Sequence, residues 1–100
     1  MNELFDLSGK VIVVTGATGV LAGGTAQYLQ KNGATVVYLG RNQQKVDDVL
    51  AVAQQISADC MSLTADVLDE EKLSMAYERI MNQYGRIDAC LLYTSDAADE

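Results

Sequence analysis

Gly16 and Gly19 stand three residues apart, directly after the run Val11-Ile12-Val13-Val14-Thr15 and just before an amphipathic segment that opens at Val20. Residues of this type at this spacing suit the binding of an anion by the main chain. A side chain at Gly16 obstructs the tight turn out of a strand, and one at Gly19 holds a phosphate away from the backbone. Free N–H groups and the helix dipole at the start of the following helix favour negative charge there. The natural anion is the pyrophosphate of a dinucleotide, with main-chain amides between Gly16 and Leu21 converging on it and the Thr18 hydroxyl adding a donor. A tight strand–helix turn also recruits glycine for purely structural reasons. The position after a buried strand, before a helix and within a β-α-β unit favours the dinucleotide.

A second candidate lies at the end of the next apolar strand. An acidic residue there would bind the ribose hydroxyls of NAD and repel a 2′-phosphate. This chain has Gly40, followed by Arg41 and Asn42. A guanidinium gives charge-assisted, often bidentate hydrogen bonds to phosphate, so Arg41 leans the cofactor expectation from NAD(P) in general toward NADP. The alternative is a solvated arginine at a strand end. Asp66 occupies the corresponding place after the third strand.

These residues require elements that carry them to one edge. The spacing predicts strands at Lys10–Thr15, Ala34–Leu39 and Asp59–Ala65, apolar nearly throughout in the first two, as suits a sheet covered on both faces. Between them lie helices at Val20–Asn32, with Leu21, Thr25 and Tyr28 or Leu29 on the inward stripe and Gly33 as its cap, and at Gln43–Ile56, with Val46, Val49, Leu50, Ala53 and Ile56 inward. Gly23 and Gly24 weaken the first helix, a cost explained by close packing on a strand. Asp69 is the expected N-cap of a third helix whose inward stripe is Leu73, Ala76, Tyr77, Ile80 and Tyr84, closed by Gly85. Tyr28, Tyr77 and Tyr84 are read as core or half-core. The sum is a truncated Rossmann-like α/β fold, a doubly wound parallel sheet of order β-α-β-α-β-α with the start of a fourth strand after Arg86-Ile87-Asp88.

At this point a family resemblance is visible. Leu7-Ser8-Gly9-Lys10 followed by the first strand and Thr15-Gly16 resembles the opening of the short-chain dehydrogenase/reductase family. Ala65-Asp66-Val67 resembles that family's adenine-contacting step, and Tyr84-Gly85-Arg86-Ile87-Asp88 its entry to the fourth strand. The turn departs from the common Thr-Gly-x-x-x-Gly-x-Gly. Val20 and Ala22 stand where its later glycines fall, and the chain fits Thr-Gly-x-x-Gly-x-x-Ala instead. The resemblance implies an NAD(P)-dependent oxidoreductase that moves hydride between nicotinamide and an alcohol or carbonyl substrate, with a lean toward a sugar acid or polyol from the variant turn. It implies that the Asp66 carboxylate and the Val67 backbone meet the adenine.

In that family a tyrosine, a lysine four residues later and a serine perform the proton transfer. No Tyr-x-x-x-Lys pair occurs in this chain, so no catalytic residue is assigned. Two other readings stay open: a dinucleotide-sensing module without catalysis, and an extended-branch epimerase or dehydratase of nucleotide sugars. A methyltransferase is disfavoured by the missing acid after the second strand.

Composition agrees with a single globular unit of 100 residues, 49% apolar, with a formal charge of −7. That charge argues against nucleic acid or an anionic membrane as partner. No run approaches the ~18 apolar residues of a membrane span. With no histidine and two cysteines, no metal site is expected. Acids in the first six residues do not suit a signal peptide. A cytoplasmic protein acting on a small molecule is expected, as is a homo-oligomeric parent. Cys90 to Glu100 resembles one reading frame of a transposon-end adapter, although its Cys-Leu-Leu-Tyr stretch has the apolarity of a strand. The expectation is therefore that residues 1–89 are the N-terminal part of one NAD(P)-binding domain, that residues 90–100 are a non-native tail, and that this fragment alone is inactive.

Overall fold

The computed structural model describes residues 6–16, 20–66 and 68–92. Elements follow in the order β1 (Val11–Thr15), α1 (Val20–Lys31), β2 (Thr35–Gly40), α2 (Gln43–Ala53), β3 (Cys60–Thr64), α3 (Glu70–Tyr84) and β4 (Ala89–Leu92). The strands form one sheet of order β3-β2-β1-β4, every pairing parallel. This is the expected doubly wound Rossmann-like α/β arrangement.

Strand alternation divides the core into two layers. Ile12 and Val14 of β1 and Val36 and Tyr38 of β2 face Ala26 of α1 and Ala53 of α2. Val11, Val13, Val37 and Leu39 face the opposite way, onto Ala76 and Ile80 of α3. Both faces of β1 and β2 are thus covered, which is why these strands read as unbroken apolar runs. The β3 strand lies at one edge and is only half-buried over most of its length.

Local chemistry fixes the joints. α1 ends in a Schellman motif: the Ala34 N–H donates to the Leu29 carbonyl at 3.2 Å and the Gly33 N–H to the Gln30 carbonyl at 3.0 Å. Gly33 has φ +101°, and an added Cβ would sit 2.9 Å from Ser8 Oγ and 3.1 Å from Ser8 N. The Leu7–Lys10 turn lies across this helix end, with the Leu7 N–H donating to the Asn32 carbonyl at 2.8 Å. Asn42 and Asp69 cap α2 and α3 through their side chains.

Three expectations need correction. The buried stripe of α1 is Gly23, Ala26 and Gln30, with Leu29 partly buried. Thr25 is half-buried and Tyr28 is 55% exposed. The physical reason is Tyr38, whose buried hydroxyl donates to Gln30 Oε1 at 2.7 Å and draws a polar residue inward. Gln30 Nε2 in turn donates to the Ala53 carbonyl at 2.8 Å, the Ser57 carbonyl at 3.2 Å and Ser57 Oγ at 3.0 Å. Second, α2 stops at Ala53 rather than Ile56, because the Gln55 and Ile56 amides turn back to Val52 and Ala53 in tighter three-residue steps. Third, Gly24 is exposed with nothing within 4 Å of an added Cβ, and of the two glycines only Gly23 is buried.

The fourth strand is formed. β4 pairs with β1 from Ile12↔Ala89 to Thr15↔Leu92, and so runs three residues into the segment that resembles adapter sequence. Its entry is anchored by Asp88, whose backbone N–H donates to the Val11 carbonyl at 2.8 Å and whose Oδ2 accepts from the Val11 N–H at 2.7 Å.

Candidate dinucleotide site

Because all four strands are parallel, the C-terminal ends of β1, β2 and β3 and the N-termini of α1, α2 and α3 meet at one sheet edge. The chain passes from β3 across β2 and β1 to reach β4, so β1 stands at the point where strand order reverses. In open α/β sheets, ligands bind outside the strand ends at such a point.

At the end of β1, Gly16 has φ +68°, a conformation that side chains disfavour. Thr15 is buried and its hydroxyl donates to the Leu91 carbonyl at 3.2 Å, which ties the strand end to β4. Thr18, Gly19 and Val67 lie outside the described residues, as do the side chains of Val20 and Leu21. The backbones of Val20 and Leu21 form the first turn of α1, as anion binding requires.

At the end of β2, Gly40 is buried and its carbonyl accepts from the Ala65 N–H at 2.9 Å. Arg41 follows and is exposed. Asn42 Oδ1 accepts from the Lys45 N–H at 3.1 Å, so this side chain already serves as a helix cap. At the end of β3, Asp66 is half-buried in a tight turn. Its Oδ1 accepts from the Leu68 N–H at 2.9 Å, and its carbonyl accepts from the Asp69 N–H at 2.9 Å. That turn fixes the carboxylate at the sheet edge.

The charge of the three helix starts differs. The first turns of α1 and α2 contain no acid, whereas α3 begins Asp69-Glu70-Glu71. Carboxylates stabilise α3 from within and repel an added anion. The edge is therefore less repulsive to an anion near α1 and α2 than near α3. A dinucleotide with its diphosphate at α1 and its adenine toward Asp66 fits that division.

Sequence reading missed one linkage at this edge: the Thr64 hydroxyl donates to Gln43 Oε1 at 2.6 Å, joining the end of β3 to the start of α2. The two residues are 21 positions apart, and neither type signals the contact. Among the described residues, the tyrosines do not have the properties of an acid–base catalyst. Burial pushes the Tyr38 hydroxyl up to about 12, and burial with a hydrogen bond to the Cys90 thiol pushes Tyr77 up to about 12. Burial also raises Tyr84. A general base near neutrality needs the opposite shift. Among the described residues, no group of three metal-ligating side chains forms and no helix is long and apolar enough to cross a membrane.

The family described as short chain dehydrogenase matches residues 10–93. A protein of Bacillus subtilis (strain 168), the uncharacterized oxidoreductase UxuB, is 35% identical over 83 residues, which are 83% of this chain and 30% of that protein. The solved structure of an NAD+-bound xylitol dehydrogenase superposes with a TM-score of 0.81 at 27% identity, covering 84% of this chain and 32% of the other. A 3-ketoacyl-(acyl-carrier-protein) reductase from Brucella melitensis, complexed with NADH, gives 0.75 at 30% identity over 84% of this chain and 34% of the other. The chain thus spans about a third of the length of the proteins it matches.

Proposed function

Since this chain belongs to the short-chain dehydrogenase family, we propose that it forms the adenosine-binding part of an NAD(P)-dependent oxidoreductase acting between an alcohol and a carbonyl. The nicotinamide, when bound, supplies or accepts the hydride. The residues here bind and orient. Amides from Gly16 to Leu21, with the Thr18 hydroxyl and the close approach allowed at Gly19, hold the diphosphate. Asp66 accepts from the adenine amino group while its Leu68 contact keeps the carboxylate in place, and the Val67 backbone adds a second adenine contact. Arg41 meets a 2′-phosphate and makes NADP the preferred cofactor, with Asn42 holding the adjoining turn.

The single observation that carries this reading is Gly16 at positive φ, at the end of a buried strand where strand order reverses, before a helix start free of acids. Residues 1–89 are on this reading the N-terminal part of one cytoplasmic NAD(P)-binding domain whose catalytic groups lie elsewhere in a homo-oligomeric parent. The substrate class is small, with a sugar acid or polyol favoured by the variant turn and by the xylitol dehydrogenase among the similar structures.

Titration of the full-length protein that carries this sequence with NADPH and NADH tests the proposal. Arg41→Ala is expected to weaken NADPH roughly tenfold, the worth of one partly desolvated charge-assisted contact, with NADH changed less than about twofold. Equal losses for both refute the assignment of Arg41. No saturable binding of either refutes the dinucleotide site.

A further inference from the structure

We propose that Thr64 is a positioning residue for cofactor selectivity, acting through the Arg41–Asn42 turn; this rests on the reading of Arg41 as the group that meets a 2′-phosphate. The turn between β2 and α2 is only two residues long, and the end of β3 pins it on both sides. Before it, the Ala65 N–H holds the Gly40 carbonyl at 2.9 Å. After it, the Thr64 hydroxyl holds Gln43 Oε1 at 2.6 Å, while Gln43 Nε2 donates to Asp47 Oδ1 at 2.7 Å. Thr64 and Gly40 are also register partners, so the hydroxyl sits beside the strand end it steadies. Within the turn, Asn42 caps α2 through Oδ1 to the Lys45 N–H and through its carbonyl to the Val46 N–H at 3.0 Å.

Arg41 carries its long side chain from this two-residue turn, so the turn's backbone fixes the point from which the guanidinium reaches. Bidentate contact with a phosphate demands defined placement, and holding the backbone beforehand lowers the ordering cost on binding. The Thr64–Gln43 bond is exposed to water, so its worth to overall stability is small. Its effect on the ligand is selective: a loosened turn weakens the 2′-phosphate contact and leaves the diphosphate and adenine contacts on β1 and β3 intact.

The test compares affinities of the full-length protein for adenosine 2′,5′-bisphosphate and adenosine 5′-monophosphate. Thr64→Val, which removes the hydroxyl and keeps the shape, is expected to lower the preference for the bisphosphate about two- to threefold, the low end of the range for one hydrogen bond. Affinity for the monophosphate stays as it was, and Thr64→Ser restores the preference. An unchanged ratio overturns the proposal, as do equal losses for both ligands or a Thr64→Ser variant that behaves like Thr64→Val. Absence of any 2′-phosphate preference in the unaltered protein overturns the Arg41 reading itself, and this proposal with it.

Discussion

Tyr38→Phe removes one oxygen from the interior and leaves the ring in place. Tyr38 is fully buried and its hydroxyl donates to Gln30 Oε1 at 2.7 Å; Gln30 is itself 2% exposed. Without that hydroxyl the buried amide oxygen loses its donor, and an unsatisfied buried acceptor costs about 1–3 kcal/mol. No cavity of consequence opens, so this term dominates. A 2 kcal/mol loss lowers a urea midpoint by about 1 M for a slope near 2 kcal/mol/M. Adding Gln30→Leu removes the stranded oxygen, so the double variant is expected to be more stable than the sum of the single losses by about 1 kcal/mol.

The same residue sets an alkaline signature. Tyrosine in the unfolded chain titrates near pH 10, whereas burial holds folded Tyr38 up to about 12. Between those values the unfolded chain gives up a proton that the folded chain keeps, so stability falls as pH rises. Tyr38→Phe is expected to flatten that decline, leaving the part due to Tyr77 and Tyr84. Urea titrations at pH 7 to 11 measure both effects. A loss below about 0.5 kcal/mol at pH 7, or an unchanged alkaline slope, refutes the reasoning.

Two further predictions concern glycines and an aspartate. Gly24→Ala is expected to stabilise by about 0.5–1 kcal/mol, since it lies within α1 with open space around it. Gly33→Ala is expected to cost more than about 1–2 kcal/mol, because its positive φ and the 2.9 Å approach to Ser8 Oγ act together; thermal melts that rank the two alike contradict this. Arg86 and the Val11 N–H hold the Asp88 carboxyl below the usual carboxylate range. Its contribution is therefore present above about pH 4 and lost as pH falls through the lowered folded value. Asp88→Ala is expected to reduce stability at neutral pH and to lose this part of the acid dependence, and an identical acid profile in unfolding titrations refutes it.

The sheet and the turn at Gly16 are legible in the sequence because their signals are local and chemical. An unbroken run from Val11 to Thr15 has few homes other than a strand covered on both faces, and Gly16 marks where the chain must turn. The lining of α1 is not legible, because polarity assigns Gln30 to water until Tyr38, eight residues on and across a helix–strand interface, supplies the partner that brings it in. Gly23 and Gly24 look alike in sequence, and only their rotation about the helix separates a packing position from an open one. At the candidate site, the places of Arg41 and Asp66 just after β2 and β3 are legible from the apolar runs before them, while the Thr64–Gln43 link depends on β2 and β3 lying side by side.

The anchoring of β4 by Asp88 has a kinetic consequence. Val11 meets Thr35 across 24 residues of chain but meets Asp88 across 77. Closing the longer loop costs about 1 kcal/mol more in chain entropy, and contacts distant in sequence slow folding. The β1-α1-β2 and β2-α2-β3 units, each closing across 24 residues, are therefore expected to form first, and the first amide of β1 is expected to meet its carboxylate last. Assembly of this sheet starts among neighbours and finishes at the seam between Val11 and Asp88.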